Sequence, residues 1–554
     1  MLRYAISPDI ILRDGNVICM DATNTTSQAI AVKGKKIMAI GSSEDISLLI
    51  GENTEVINLE GRTVLPGFVD SHVHVEHYGR DQVQMSLRDC KNEEETLKLL
   101  KRKVEQTKPG VWITACGVPM GKLSPGKRGF TLKEVDAISS NNPVYIECSS
   151  AGHYSWINSY ALKLLNITKD SCPEGIKGGR GIVRDSSGEL TGRLQDDAWN
   201  WGIRQIKPYT FNWFLKALQL AQEDFLKVGV TAAHSAWEDP YILSGFRELE
   251  KQGKLRMRTF ISLDMENYSD LFISTGMSTG FGSDMLMLMR FKIVLNVPPH
   301  AAVFEDYASM PGNRGYHLYP PEWVEEKVLN AVQHRWSVLI HVMGDGDTDM
   351  ALTAYEKALE WYKKRTGKDN NSLRLQLCHY KMSNPSLIER TAAAKILVSI
   401  EPSSKLAPYN APGGLIERLL GYERWVRSHP VRSFFDAGIN VAFGSDYPMP
   451  YGFIDPRAGI YASLDGCGHP WDVITAYQAL QGYTINGAFG VFSEKKFGSI
   501  EVGKFADFVV FSDNPLTMPK DRIWDAANNE PKDLLVDYTI VGGKIEYKRE
   551  EKLG

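Results

Sequence analysis

The sequence predicts an α/β fold in which a parallel sheet, wrapped by helices, closes into a barrel, with a small β domain built from both chain ends. Two observations lead to this prediction. Helical patterns alternate with short apolar strands through the middle of the chain, and β-rich runs with turn residues occupy both ends. A chain of 554 residues would otherwise suggest three or four domains, but an α/β barrel keeps about 200 to 400 residues around one core.

Short β-rich runs make up residues 8 to 60. They read DIILRDGNVICM, QAIAVKGKKIMAIG and TEVINLEG, with DG and KGKK where hairpin turns are expected, and they predict a small antiparallel sheet. The C-terminal end contains similar β-rich segments, FADFVVFS and DYTIVGGKIEY. In the second of these, a GG pair separates two β-rich runs. Because neither end alone has enough strands to bury a core, we predict one β domain from residues 1–64 and 491–554, with a barrel over residues 65–490.

Four helix–strand units are clear in the middle of the chain. The strands VGVTAAH, SVLIHVMG, LRLQLCH and KILVSIEP each follow a segment with helical spacing of its apolar residues. About ten strand candidates lie between Phe68 and Ser445, whereas a barrel has eight places, so at least two strands are expected outside the barrel.

Composition excludes several classes of protein. With 43% hydrophobic and 23% charged residues, and no run of the roughly 20 apolar residues that a membrane span needs, the sequence predicts a soluble globular protein with no membrane partner. A net charge of −4 without a dense Lys/Arg run argues against nucleic acid. The N-terminus lacks a secretory signal, so we predict a cytoplasmic protein. The seven scattered cysteines are interpreted as reduced, mostly buried thiols.

Four histidines and one aspartate lie at the ends of predicted strands, where an α/β barrel places its reactive groups. The segment VLPGFVDSHVHVEH puts His72 and His74 two residues apart, so strand alternation sends both imidazoles to the same side. His341 follows SVLI, His379 follows LRLQLC, and Asp446 follows INVAFGS. Each alone could be a structural histidine or a helix cap, but together they form the ligand set of a divalent ion, Zn²⁺ first and Fe²⁺ or Mn²⁺ as alternatives.

Several long motifs, in the same order, resemble the amidohydrolase superfamily of metal-dependent TIM-barrel hydrolases. Within it, the chain is similar to the YtcJ-like group, which includes N-substituted formamide deformylases. The motifs are LPGFVDSHVH, SAGHYSWINSYAL, IHVMGDGDTDMAL, LCHYKMSNP, FGSDYPM, YTINGA and GSIEVGKFADFVVF. The resemblance implies a (β/α)8 TIM barrel together with a β-sandwich domain formed by both termini.

The resemblance also implies metal-binding roles. His72 and His74 match the family's first metal pair, His341 and His379 its later histidine ligands, and Asp446 the aspartate that binds metal and moves protons. Lys292 in RFKIVLN matches the lysine that, when carboxylated, bridges two metals in many relatives. Many relatives in the YtcJ-like group have an Asp-Gly pair shortly after that lysine, whereas Val294 to Asn296 follow it here, so one ion or two remains open.

A second motif concerns the substrate. The segment GHYSWIN matches a stretch that lines the active site in relatives, which implies substrate contacts for His153, Trp156 and Asn158; the alternative is that this segment packs the barrel rim. Four further residues near strand ends or motif borders are candidates for orienting the ligands, because a ligating imidazole usually has such a partner: His77, His234, His300 and Glu401.

We therefore predict hydrolysis of a carbon–nitrogen bond other than a peptide bond, in an amide, N-formyl compound or cyclic amide of small size. The metal would lower the pKa of bound water to about 7 and give hydroxide, while Asp446 takes the proton of the water and returns it to the departing nitrogen. The alternatives are a metal-dependent lyase, isomerase or decarboxylase, since fold and ligands do not fix the reaction, and a non-catalytic binding protein. A homo-oligomer is compatible with the sequence.

Overall fold

The computed structural model describes residues 7–118, 129–148, 154–173, 176, 179, 181–205, 211–368, 371–449 and 452–550. The chain divides into two compact units. One consists of Met1–Val75, Gln222–Tyr447 and Tyr451–Gly554, and the other of Glu76–Ala221 with Pro448–Pro450. Within the described residues, no helix combines the length and the apolar character that crossing a membrane requires.

Short strands and one helix fill residues 7–66. In chain order they are β1 (Ile10–Arg13), β2 (Asn16–Ile18), β3 (Thr26–Ser27), β4 (Ala29–Lys33), β5 (Lys36–Gly41), α1 (Ser43–Ser47), β6 (Glu55–Asn58) and β7 (Thr63–Pro66). The next strand, β8 (Phe68–Val73), is the first strand of the barrel.

The second unit has a sheet of its own, in the order β13-β14-β12-β11-β10-β9, with parallel and antiparallel pairs. The elements from here to the next barrel strand are α2 (Val75–Val83), β9 (Met85–Ser86), α3 (Glu93–Glu105), β10 (Ile113–Val118), α4 (Leu132–Asp136), β11 (Val144–Cys148), β12 (Tyr154–Ile157), α5 (Ser159–Leu164), β13 (Ile182–Arg184), β14 (Leu190–Gln195), α6 (Asp196–Gln205) and α7 (Phe211–Lys227). These strands, in addition to the eight of the barrel, confirm that the chain has more strands than a barrel holds.

The rest of the barrel follows. Its elements are β15 (Val230–Glu238), α8 (Pro240–Lys251), β16 (Arg258–Asp264), α9 (Met265–Ser274), β17 (Phe281–Gly282), β18 (Leu286–Val294), α10 (Pro321–Gln333), β19 (Ser337–Val342), α11 (Asp345–Thr366), β20 (Gln376–His379), α12 (Pro385–Ala393), β21 (Leu397–Ile400), α13 (Leu415–Leu420), α14 (Tyr422–Trp425), α15 (Val431–Asp436) and β22 (Val441–Phe443). A 3₁₀ helix, Pro402–Leu406, lies between β21 and α13. The four predicted helix–strand units are confirmed as α7–β15, α10–β19, α11–β20 and α12–β21.

Eight parallel strands form the barrel in the order β8, β15, β16, β18, β19, β20, β21, β22. Hydrogen bonds beyond the last strand bring the ring close to closure. The Asp446 backbone N–H donates to the His72 carbonyl oxygen over 2.7 Å, and Ser445 donates to the Asp70 carboxylate through its N–H (3.0 Å) and its hydroxyl (2.6 Å). The predicted (β/α)8 architecture is confirmed, and it gathers the carboxyl ends of all eight strands at one face.

Helices α16 (Pro456–Asp465), α17 (Ala476–Tyr483) and α18 (Ile485–Gly490) lead into the C-terminal strands. These are β23 (Phe508–Phe511), β24 (Trp524–Asp525), β25 (Glu530–Pro531), β26 (Val536–Val541) and β27 (Lys544–Lys548), with α19 (Lys520–Ile523) before β24. Strand β23 pairs antiparallel with β7, so one six-stranded sheet, β27-β26-β23-β7-β2-β3, contains both chain ends.

A four-stranded sheet, β5-β4-β1-β6, packs against this six-stranded sheet. Leu12 and Ile30 of the smaller sheet share one buried apolar cluster with Val64, Phe508 and Val510 of the larger. The predicted β sandwich of both termini is therefore confirmed. The exact boundaries at 64/65 and 490/491 stay a prediction.

One predicted hairpin is wrong. The DG turn does not pair β1 with β2; instead it carries the chain from one sheet to the other, and β1 runs parallel to β6. The terminal sheets are therefore mixed rather than antiparallel. The KGKK and GG turns are confirmed as hairpins, with Gly34 at φ 58° and Gly542 and Gly543 at φ 55° and 75°, values that suit such short turns.

Candidate metal centre

The structure places the six predicted metal-binding residues at or just beyond the carboxyl ends of barrel strands. All are buried, with at most 8% of any residue exposed. They are His72 in β8, His74 directly after it, Lys292 in β18, His341 in β19, His379 at the end of β20 and Asp446 after β22. The barrel thus gathers at one face residues that are up to 374 positions apart in the sequence, from 72 to 446.

Two imidazoles converge on one carboxylate. The Oδ1 atom of Asp446 lies 3.5 Å from Nε2 of His72 and 3.3 Å from Nε2 of His74. These three residues offer ligand atoms within 4.8 Å of one another, close enough to share one ion. The two imidazoles of the HxH segment therefore lie on the same side, as alternation along a strand predicts.

The other two histidines stand beside this group. The ring of His379 lies 4.7 Å from that of His72 and 4.2 Å from that of His341, measured between centroids. Ligand atoms of His72, Cys378 and His379 also lie within 4.8 Å of one another. Imidazoles from three strands therefore line one continuous buried cluster of donors.

Backbone geometry helps to place two of these residues. His379 has φ 69° and Asp446 has φ 53°, in the left-handed region that non-glycine residues rarely adopt. Such strain persists where the surrounding structure enforces it, and it is common at functional sites. Asp446 is held by its hydrogen bond to His72. Gly444 allows the close approach, because a Cβ there would lie 2.7 Å from the His72 nitrogen.

A buried carboxylate orients His379. Nδ1 of His379 lies 2.9 Å from Oε2 of Glu401, and because an ionised carboxylate only accepts, this nitrogen carries the proton and donates it. The ammonium of Lys381 lies 3.1 Å from the same oxygen and donates to Ser404 Oγ over 2.8 Å. Glu401 thus fixes the ring so that Nε2 is left for another partner. Of the four residues predicted to orient ligands, Glu401 makes this contact.

Charges and burial set the protonation of the cluster. Burial, with the added charge of Lys292, holds the pKa of His72 well below its ordinary range, so this imidazole is neutral. Burial alone would raise the pKa of Asp446, but His379 and His74 keep it below its ordinary value, so this carboxyl is ionised. Neutral imidazole and carboxylate are the forms that bind a metal.

His379 differs from the other imidazoles in its charge. Burial lowers its pKa, but the Glu401 carboxylate outweighs this and, with smaller contributions from Cys378 and Asp446, raises the pKa to about 10. Without a metal, His379 is therefore protonated at neutral pH. A metal that binds Nε2 must displace this proton.

Lys292 lies inside the cluster. Its Nζ is 3.0 Å from Nε2 of His72. Within the described residues, no carboxylate lies within 4.0 Å of this amine. Lys292 thus contacts a candidate metal ligand rather than an acid, which is consistent with a lysine that takes part in the metal centre.

Three further histidines lie elsewhere or are already engaged. His234 donates through Nδ1 to the Ser71 carbonyl oxygen (2.9 Å) and accepts at Nε2 from Ser262 Oγ (2.6 Å), so both nitrogens are used. His77, in the second unit, stacks on Trp199 at 5.8 Å. His300 packs against Tyr316.

The predicted substrate residues belong to the second unit. Trp156 is buried in its core, edge to face with Phe130 at 5.4 Å. Asn158 caps α5: its side chain accepts from the N–H groups of Val144 and Ala161 and donates to the carbonyl oxygens of Ser139 and Asn142. His153 lies outside the described residues. Packing and capping account for Trp156 and Asn158, and a substrate contact for them stays a prediction.

Sequence reasoning missed Cys378 and Lys381 as members of the site. Lys381 could have been found as the cation two residues after His379, facing an acid at the end of the next strand. Cys378 gave no signal, because alternation along β20 places residues 378 and 379 on opposite sides. Only the left-handed φ of His379 brings both to the cluster.

The barrel and its buried imidazoles define a metal-dependent hydrolase. Residues 55–547 match the sequence profile described as "Amidohydrolase family", and the chain belongs to this family. It is a metal-dependent amidohydrolase, with a divalent metal as cofactor and a small molecule as substrate.

Three relatives match along nearly the whole chain. The chain is 27% identical to Protein LONG AFTER FAR-RED 3 of Arabidopsis thaliana, covering 98% of this chain and 92% of the relative. It is 26% identical to the N-substituted formamide deformylase of Arthrobacter pascens, covering 98% of each. It is 25% identical to YtcJ of Bacillus subtilis, named as an amidohydrolase, covering 97% of this chain and 99% of YtcJ.

Solved structures support the fold. A metal-dependent hydrolase of Pyrococcus horikoshii OT3 has a TM-score of 0.74 at 22% identity, covering 92% of this chain and 99% of its own. The atrazine chlorohydrolase of Arthrobacter aurescens TC1, solved with zinc, has a TM-score of 0.51 at 14% identity, covering 97% and 95%. At these identities the likeness concerns the fold alone.

Proposed function

We propose that this protein hydrolyses a carbon–nitrogen bond other than a peptide bond, in an amide, an N-formyl compound or a cyclic amide. The observation that carries the proposal is the buried convergence of His72 and His74 on Asp446, beside His341, His379 and Lys292. The full-length similarity to an N-substituted formamide deformylase favours an N-formyl or related amide among these substrates.

The donor set fits a divalent metal. The His72 imidazole is fully buried, and its Nε2 and that of His74 lie 3.5 and 3.3 Å from the same oxygen of Asp446, so nitrogen and oxygen donors face one another. Four imidazoles and one carboxylate suit Zn²⁺ first, with Fe²⁺ and Mn²⁺ as alternatives. These five residues would hold the metal, and a carboxylated Lys292 would add a bridge to a second ion.

When bound, the ion would lower the pKa of water to about 7 and polarise the carbonyl of the substrate. Asp446 moves the proton. As an ionised carboxylate it accepts the proton of the attacking water, whose oxygen forms the new bond to the carbonyl carbon. It then returns this proton to the nitrogen as the carbon–nitrogen bond breaks, so that the products are an acid and an amine.

Neighbouring residues hold Asp446 in position for this proton transfer. Its N–H donates to His72, and the adjacent Ser445 is tied to Asp70 by two hydrogen bonds. Because its carboxylate is ionised at neutral pH, it begins the reaction in the form that accepts a proton. Glu401 does not need to touch the substrate: it holds His379 in the orientation that leaves Nε2 for the metal.

A substrate panel tests the proposal. Metal-loaded protein is offered N-formyl, N-acyl, lactam and ester compounds in water enriched in oxygen-18, with Asp446→Asn of measured metal content as the control. We expect turnover of at least one carbon–nitrogen substrate, with one solvent oxygen in the acid product. Turnover without incorporated solvent oxygen would favour a lyase or isomerase. If metal-loaded protein turned over none of these compounds, a non-catalytic binding protein would be the better interpretation. A cytoplasmic location and a homo-oligomer stay predictions of the sequence.

A further inference from the structure

Strand register places Cys378 on the same side of the barrel wall as two candidate metal-binding residues. In the parallel ladder, Cys378 of β20 is paired with His341 of β19, and His341 with Val294 of β18. Paired residues of parallel strands point to the same side, and residues two apart on one strand do so as well. Cys378 therefore shares its side with His341 and with Lys292, two residues before Val294.

Regular alternation would then turn His379 away from the centre. Its φ of 69° breaks the alternation, so two successive residues both reach the cluster. Ligand atoms of His72, Cys378 and His379 lie within 4.8 Å of one another, and all three residues are buried. Two atoms bound to one ion at about 2.0–2.3 Å lie up to about 4.6 Å apart, so the three donors already have nearly the spacing of a shared ion.

A second observation connects this group to the rest of the site. His72 is 0% exposed and belongs to two sets of possible ligands, one with Cys378 and His379 and the other with His74 and Asp446. Its Nε2 lies 3.5 Å from Oδ1 of Asp446. The thiol thus stands beside an imidazole that also faces a carboxylate suited to bind a metal.

We propose that the sulfur of Cys378 is a ligand of the bound metal, together with His72 and His379. The inference rests on the metal centre of the proposed function. The thiol gives its proton to solvent and binds as thiolate, the form in which cysteine is a ligand. A thiolate is a soft donor, so it favours Zn²⁺ over Mn²⁺. It also supplies a metal-binding group that needs no carboxylated Lys292.

X-ray absorption at the zinc edge tests the proposal. We expect the zinc-loaded protein to show a sulfur neighbour at about 2.3 Å, besides nitrogen and oxygen at about 2.0–2.2 Å. Cys378→Ala should lose the sulfur neighbour, and its zinc affinity, measured by competition with a chelator, should fall by about tenfold or more. Cys19→Ala, at a buried cysteine of the β sandwich, is the matched control and should keep both. If Cys378→Ala does not fold, Cys378→Ser replaces it.

The outcomes separate this inference from the proposed function. Zinc-loaded protein that turns over substrate and shows only nitrogen and oxygen neighbours would overturn the thiolate ligand and leave the hydrolase intact. A sulfur neighbour that persists in Cys378→Ala would also overturn it, because another residue must then supply the sulfur. Protein that binds no metal tightly would overturn both. A sulfur neighbour in the wild type that is lost only with Cys378 establishes the ligand.

Discussion

Replacing Glu401 with glutamine tests how His379 is held. Glu401 is 1% exposed, accepts a hydrogen bond from His379 Nδ1 at 2.9 Å and forms an ion pair with the Lys381 ammonium at 3.1 Å. Glutamine can still accept from His379, but without charge, and charge-assisted hydrogen bonds are about twice as strong. Loss of an orienting partner of a metal ligand typically lowers metal affinity by about 10- to 100-fold, or about 1.4 to 2.7 kcal/mol.

The same change also acts on the fold. Lys381 is 7% exposed, and without Glu401 its ammonium would keep only the hydrogen bond to Ser404. Removing one partner of a buried pair typically costs about 3–5 kcal/mol. The double variant Glu401→Gln/Lys381→Met removes both charges, so we expect it to regain most of the lost stability but not the lost metal affinity.

Two measurements separate these effects. Zinc affinity is measured by competition with a chelator, and the free energy of unfolding by urea titration of the metal-free proteins. Glu494→Gln is the control: it breaks the ion pair with Arg374, which precedes the amino end of β20, and should lower stability without changing zinc affinity. The reasoning fails if Glu401→Gln binds zinc within about twofold of the wild type. It also fails if the double variant regains the full zinc affinity of the wild type, because the unpaired Lys381 would then be the cause of the weaker zinc binding in Glu401→Gln.

Four other changes follow from the same site. Asp446→Asn should stay folded and metal-loaded while kcat falls about 100- to 10,000-fold; a fall below tenfold would mean that another residue moves the proton. Lys292→Ala should lower the metal content by about one ion, with partial rescue by short-chain acids, if a carboxylated lysine bridges two ions about 3.5–4 Å apart, whereas unchanged metal content would exclude the bridge. Stripping the metal should abolish turnover and zinc should restore it, so full activity in protein free of metal by elemental analysis would contradict the proposed function. Because the pKa of His379 is raised from 6.5 to about 10, zinc affinity should rise with pH over this interval, and a zinc affinity independent of pH would contradict this assignment. In the metal-free protein, the His379–Glu401 pair should stabilise the fold fully below pH 6.5 and lose this effect towards pH 10.

Local patterns in the sequence predicted the elements and the candidate metal donors. Helical spacing followed by an apolar run is a property of neighbouring residues, and it located four helix–strand units that the structure contains. The HxH spacing predicted that His72 and His74 share a side, because alternation along a strand needs no tertiary information. The rule that a barrel collects its reactive groups at strand ends led to His341, His379 and Asp446.

Tertiary structure decided what depends on pairing between distant segments. The DG turn at residues 14–15 reads as a hairpin, but the chain crosses there to another sheet, because β2 finds a parallel partner in β7. The sequence predicted strands outside the barrel, but not that residues 76–221 form a second compact unit. Such choices depend on which strands meet in the folded chain, and local patterns carry little information about that.

The composition of the metal centre shows the same division at the level of single residues. Cys378 joins the cluster only because His379 adopts a left-handed φ, which no residue pattern announces. Glu401 was predicted to lie near the ligands, but its partner His379 and its counter-charge Lys381 became known from distances across two strands. The sequence alone thus determined which strand ends carry candidate donors, whereas backbone conformation and strand register, which depend on the folded chain, decided which of these side chains meet.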